Sequence, residues 1–275
     1  MIRLAVCVPR ESAEIVLAEL VELAPGGVEE VDRADGKVEY AVYGAEGELP
    51  ALPDLNAAAG KVPIEVSTSV VADGWEEKWK EFHRAVEVQG ATGSLAIAPP
   101  WDPLASGDET VVIDPARAFG TGAHPTTRLC AGLLLDLEPA GSCLDLGCGS
   151  GVLAICAARL GWSPVTALDH DPASVEATLA NAGANRVSVQ ARRFDLLRDG
   201  PAPGASLVVA NLLRPLLLAA AAEGLEGEPP RALIASGLLE READEVSAAL
   251  AAAFGMKEAT RRTEGGWAAL SLKLS

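Results

Sequence analysis

Two glycine-rich turns and one aspartate hold the residue types with the most chemistry to offer. The first turn, DPARAFGTGAHPTT, spans 114–127, and the second, CLDLGCGSG, spans 143–151. In the second, the apolar stretch 143–146 predicts a buried strand. Gly147, Gly149 and Gly151 predict a tight turn, and 152–160 the helix that follows. Glycine is needed there because some turn positions require φ > 0, and because a ligand reaches the backbone only where no Cβ intrudes. The next apolar run, 165–168, ends in Asp169, about 20 residues beyond the turn, the spacing of a carboxylate that accepts hydrogen bonds from a ribose diol. The pair reads as a nucleoside site, with an ordinary strand-end aspartate as the alternative. The helix cap is expected one step later, at Asp171 ahead of Pro172.

The glycine spacing narrows the nucleoside. A dinucleotide fingerprint, G-x-G-x-x-G, would place its third glycine at position 152, where this chain has Val152 after Gly151. NAD is therefore the weaker fit, and the two turns together read as a site for S-adenosylmethionine.

The elements that must position these residues alternate regularly. Strands are expected at 2–8, 28–32, 37–43 and 64–71 and helices at 11–23 and 54–59, a split βαβ order like that of ferredoxin-like domains. A capped helix begins at Asp73 and runs to about 83; its Trp75, Trp79 and Phe82 recur at helical spacing, read first as core packing and second as ligand stacking. The expected division is therefore a small α+β domain at 1–71, a linker helix at 72–84 and a cofactor-binding domain at 85–275. After strands at 85–89 and 95–98 comes a stiff Pro99-Pro100-Trp101 turn that could wall the cofactor mouth. From 110 onward, runs at 111–114, 143–146, 165–168, 187–191, 207–211 and 232–236, with a helix at 125–137, predict a doubly wound parallel sheet. Runs at 256–262 and 267–274, separated by Glu264-Gly265-Gly266, predict an antiparallel edge hairpin. The fold class is α/β: a seven-stranded, Rossmann-like class I methyltransferase sheet plus the small ferredoxin-like domain. Ligands in such sheets sit beyond the carboxyl ends of the strands, where Gly147, Asp169, Phe194, Asp195 and Asn211 converge.

Composition excludes several alternatives. The 275 residues are 49% hydrophobic, enough for a sizeable core, and carry a formal charge of −17. A sequence pI near 4.6 argues against a nucleic-acid backbone as partner and fits a basic protein better. Five cysteines without a C-x-x-C pair, and only three histidines, predict no metal site. No signal-peptide pattern opens the chain, and the longest apolar run, 215–222, is too short to cross a bilayer, so no membrane association and a cytoplasmic location are expected.

With these motifs in view, the chain resembles the ribosomal protein L-eleven methyltransferases over nearly its whole length. The resemblance rests on the Trp75–Trp79 helix, the Pro99-Pro100-Trp101 turn, the AFGTG-x-HPTT run, LDLGCGSG, and Val209-Ala210-Asn211-Leu212-Leu213. Ala116-Arg117 departs from the family's usual glycine and apolar residue. The resemblance implies S-adenosyl-L-methionine as cofactor, no metal, and methylation of lysine ε-amines and the N-terminal α-amine of ribosomal protein L-eleven by a chain expected to be monomeric. It also implies that the N-terminal domain holds the substrate. Carried over by position, Thr127, Gly147, Asp169 and Asn211 fall on the cofactor. Gly149 and Asp195 join them from the turn and strand-end readings, and Phe119, in a glycine-rich loop, reads as a lid. Asn211 is the catalytic candidate: its side-chain carbonyl could aim a substrate amine, although a strand-end asparagine bonded to backbone is an equal reading. Methylation of another protein's lysine or glutamine, or a non-catalytic cofactor-binding adaptor, are the alternatives; Asn211-Leu212-Leu213-Arg214 lacks the N-P-P-Y pattern of glutamine modification.

Overall fold

The computed structural model describes residues 2–13, 16–17, 20, 28–33, 35–44, 64–70, 84–107, 110–114 and 122–274. The chain divides into two compact units, Met1–Phe82 and His83–Ser275.

The first unit is built on an antiparallel sheet of β1 (Ile2–Pro9), β2 (Glu29–Asp32), β3 (Lys37–Gly44) and β4 (Glu65–Val70), in the order β2-β3-β1-β4. Alternation on β1 sends Leu4, Val6 and Val8 to one face, where they meet Val38 and Tyr40. Ala13, Val16 and Leu20, spaced for one helical face, complete that core. The four strands expected here are present within a residue or two at each end. The expected helix at 54–59 and linker helix with Trp75, Trp79 and Phe82 lie outside the described residues.

The second unit holds a seven-stranded sheet ordered β10-β9-β8-β11-β12-β14-β13. Its strands are β8 (Cys143–Leu146), β9 (Val165–Asp169), β10 (Gln190–Arg193), β11 (Leu207–Asn211), β12 (Ala232–Leu239), β13 (Met256–Glu264) and β14 (Trp267–Leu274). Pairings from β10 to β12 are parallel, and β14 enters antiparallel between β12 and β13. The central strands are apolar on both faces because helices cover both: α1 (Pro125–Leu134), α2 (Val152–Leu160) and α3 (Pro172–Ala184), then α4 (Arg214–Glu223) and α5 (Ala243–Phe254). Gly265 and Gly266, at φ +59° and +85°, form the two-residue turn between β13 and β14 that right-twisted hairpins favour.

Two expectations are corrected. The run at 111–114 does not join the large sheet. Its strand β7 (Thr110–Val112) pairs with β6 (Gly93–Ala98), which pairs with β5 (Val86–Gly90), in a separate three-stranded sheet. The strand expected at 187–191 begins only at Gln190, because Val187 still serves the helix before it. Val187 N–H donates to Ala182 O and Arg186 N–H to Gly183 O, with Arg186 at φ +56°, a Schellman closure made without glycine.

At the other end of α3 the expected cap is in place: Asp171 accepts a hydrogen bond from Ala173 N–H at 2.9 Å, with Pro172 at the first helical position. Asp171→Ala should lower stability by about 1 kcal/mol in chemical denaturation. An unchanged unfolding midpoint would show that the cap does not hold this helix.

Candidate functional site

Strand order places the site. Leu146 on β8 lies opposite Leu168 on β9 and Ala210 on β11, so the next residues, Gly147, Asp169 and Asn211, stand side by side at three adjacent carboxyl ends. This is where open parallel sheets bind ligands.

The turn from β8 into α2 needs its glycines. Gly147, Gly149 and Gly151 all have positive φ, at +77°, +52° and +82°. A Cβ on Gly151 would press on Thr178 down to its backbone, so α3 can sit against the turn only if this residue is glycine. Gly147 N–H and Cys148 N–H both donate to Leu168 O, at 2.8 and 3.0 Å, fixing the turn to β9.

Asp169 is 8% exposed. Its Oδ2 accepts from Gly149 N–H at 2.9 Å and its Oδ1 from Asp171 N–H at 3.0 Å, with His170 Nδ1 3.3 Å away. It is therefore both a brace of the turn and a carboxylate with lone pairs to spare, since a carboxylate offers about four acceptor sites. Phe194 N–H donates to Asp169 O at 2.7 Å, which brings Asp195 alongside. Asp195 Oδ1 accepts from Leu197 N–H at 3.0 Å, and Asp195 N–H donates to Asp199 Oδ2 at 2.8 Å, so the residue shapes the 195–199 turn.

On the opposite side of Gly147, Asn211 Nδ2 donates to Thr127 Oγ1 at 3.4 Å. Thr127 is 1% exposed in the first turn of α1. That turn is capped by His124, whose ring meets Trp267 edge-on with centroids 5.0 Å apart. Burial, and then the charge of Arg128, hold the His124 imidazole below its usual pKa, so it is neutral at physiological pH. Phe119 lies outside the described residues. Trp101 sits in a turn closed by Asp102 N–H to Pro99 O at 3.0 Å.

Sequence reasoning missed Asp145, Asn181 and the role of Trp267. Asp145 is a lone charge in an otherwise apolar four-residue strand, which was its signal. Its Oδ2 accepts from Ala154 N–H at 3.0 Å, capping α2 from beneath, while its buried Oδ1 has no partner. Trp267 and Asn181 carried no such signal, because each acts across a contact remote in sequence. All five cysteines are buried and unpaired in disulfides. Burial raises the thiols of Cys130, Cys143 and Cys148, and takes that of Cys156 up to about 12, so none of these four is a ready nucleophile. Among the described residues no group of three or more His, Cys, Asp or Glu could hold a metal, and no helix is long and apolar enough to cross a membrane.

Burial is the main force lifting Asp145 from its ordinary 3.8 to about 7; the Ala154 N–H opposes it and the charge of Asp169 adds to it. The folded chain thus holds a proton that the unfolded chain releases, so stability falls as pH rises through the window from about 4 to about 7 and levels above it. Asp145→Asn removes this term. Its unfolding free energy in chemical denaturation should gain on that of the unsubstituted protein across the window, at a limiting slope of about 1.4 kcal/mol per pH unit. A difference independent of pH would mean that Asp145 does not ionise there.

The family model described as ribosomal protein L11 methyltransferase (PrmA) matches residues 41–275. A relative of that name from Pelotomaculum thermopropionicum is 39% identical over 216 residues, covering 76% of this chain and 68% of its own. Another from Ralstonia pickettii is 35% identical over 289 residues, covering 96% and 95%. The crystal structure of a ribosomal protein L11 methylase from Lactobacillus delbrueckii subsp. bulgaricus, 29% identical, superposes with a TM-score of 0.55 over 66% of this chain and 94% of that one. The chain belongs to the ribosomal protein L11 methyltransferase family.

Proposed function

We propose that this protein transfers methyl groups from S-adenosyl-L-methionine to lysine ε-amines and the N-terminal α-amine of ribosomal protein L11. The observation that carries the reading is the row Asp169, Gly147, Asn211 at three adjacent strand ends, with the Asn211 amide nitrogen committed to Thr127.

The residues fit the cofactor. The left-handed turn of Gly147 and Gly149 offers backbone without side chains, and Asp169 keeps lone pairs for a ribose diol. Asp145 Oδ1 is a buried acceptor lacking a partner, and a cation beside it would hold Asp145 ionised. Thr127 and Asp195 flank this set, and Phe119, by its place among glycines, would cover it. When bound, the cofactor supplies a methyl group on a sulfonium, already a strong leaving group.

What remains for the protein is to hold a neutral amine in line with that methyl and to exclude water. An amine with an ordinary pKa near 10.4 must shed its proton first, and desolvation lowers that value. With Nδ2 turned to Thr127, Asn211 has its carbonyl oxygen for an amine N–H, aiming the nitrogen lone pair without stabilising the ammonium as a carboxylate would. The charge of −17 attracts a basic substrate protein, and the small N-terminal domain expected at 1–71 is its proposed holder. The same reading takes the chain as a cytoplasmic monomer that needs neither metal nor nucleic acid.

Mass spectrometry of purified ribosomal protein L11 after incubation with this protein and methyl-labelled cofactor tests the reading. Mass should rise in steps of one methyl. Asp169→Ala should raise the KM for cofactor at least about tenfold by removing charged hydrogen bonds. Asn211→Ala should cut kcat about 100-fold, the cost of a misaligned reacting atom. Cofactor binding without mass gain would refute the substrate; full activity of Asn211→Ala would refute the aiming role.

A further inference from the structure

Helix α3 makes contacts that a merely structural helix does not need. Asn181 is 3% exposed and Asn185 7%, in or at the end of a helix where asparagine is a poor former and a buried amide is costly unless bonded. Both are bonded, and their partners are not their own helix alone. Asn185 Oδ1 accepts from Val112 N–H at 2.8 Å and its Nδ2 donates to Val112 O at 2.6 Å, the pair of bonds a neighbouring strand would make. Asn181 Oδ1 then accepts from Asp114 N–H at 3.1 Å. Four helical residues advance about 6 Å and two strand residues about 6.6 Å, so amides one helical turn apart meet alternate residues of an extended chain. The two side chains thus replace the missing strand beside β7 and its continuation to Asp114.

Asn181 differs from Asn185 at its other end. Its Nδ2 donates to Ser150 O at 2.9 Å, inside the glycine turn. One turn earlier on the same face, Thr178 Oγ1 donates to Gly149 O at 3.0 Å. One amide group therefore joins two segments of the cofactor reading: residue 114, where the DPARAFGTGAHPTT run begins, and the turn before α2.

We infer that Asn181 is a positioning residue of the cofactor site: its amide locks the end of the 110–114 segment to the glycine turn, and cofactor affinity depends on that lock. The inference rests on the proposed cofactor role of the turn. It explains why Asn181 spends its donor on a loop carbonyl when α3 offers carbonyls of its own, as Asn185 does with Asn181 O at 2.8 Å.

The test is calorimetric titration of S-adenosylmethionine into the full chain, Asn181→Leu, Asn185→Leu and Asp169→Ala, beside their melting temperatures. Leucine keeps the volume and removes the amide. Asn181→Leu should raise Kd about tenfold or more, while Asn185→Leu, which loses more hydrogen bonds but none to the turn, should stay within about twofold. In steady state the same split should appear as a raised KM for cofactor with kcat little changed. Equal Kd shifts for the two variants, or no shift for Asn181→Leu, would overturn the inference. Should Asn181→Leu not fold, Asn181→Ala measured in the cold gives the same comparison. A parent chain that does not bind the cofactor, or that binds it no better than Asp169→Ala, would sink the reading of the site and this inference with it. A parent chain that binds well, beside an unaffected Asn181→Leu, would sink the inference alone.

Discussion

Three left-handed glycines from Gly147 to Gly151 let that backbone close on itself at Gly151 N–H to Cys148 O, 2.8 Å, but leave its other groups to be met from outside, and the surrounding elements exist in good part to meet them. Leu168 O takes two of its N–H groups and Asp169 takes a third. Thr178 and Asn181 donate to two of its carbonyls. Each of these partners belongs to β9 or α3, so the unit following the turn in sequence is the one that holds it in shape. A turn satisfied in this way can stay open to a ligand without collapsing toward helix or strand. The same demand explains the buried Thr178 and Asn181 of α3, which apolar residues could not replace.

The opposite wall depends on a different part of the chain. Thr127 is placed by the first turn of α1, and that turn is held by the terminal hairpin: His124 packs edge-on to Trp267, and Arg128 pairs with Glu264 while also reaching Ala123 O. At the far end of α1, Arg262 grips Asp136 through both carboxylate oxygens, at 3.0 and 2.7 Å, and touches Gln89 O. A Cβ at Gly132 would meet the Arg262 guanidinium at 2.4 Å, so a larger residue there would displace that side chain. The antiparallel edge of the sheet thereby clamps both ends of the helix whose threonine meets Asn211.

These two walls differ in how far they could be read in advance. The turn was readable because its causes are local: glycine at fixed spacing, an apolar strand before it, an aspartate ending the next strand, and a cap at Asp171. The bounds of β8, α2, β11 and β14 match the expected runs for the same reason. The placement of β7 was not readable, since an apolar run such as Val111–Val112–Ile113 suits any sheet and its neighbours are chosen by contacts far away in sequence. Arg186 hid a helix end because a non-glycine residue took the left-handed position. Thr127 entered the site only through resemblance, and its bond to Asn211 was not anticipated, since nothing local links residues on β11 and α1.

The charges of the site follow one pattern. Burial raises the Asp145 carboxyl first, and repulsion from the charge of Asp169, one strand away, adds to it. A cation bound beside them would relieve that repulsion and hold Asp145 ionised, in keeping with the proposed cofactor. Asn211, the third member, is neutral. Were it a carboxylate, the incoming amine would find the partner that keeps it protonated, and its lone pair would be unavailable for transfer. On the proposed reading, Asp169 and Asn211 therefore divide binding of a positive cofactor from acceptance of a neutral nucleophile, and the strand end at Gly147 between them keeps the two apart.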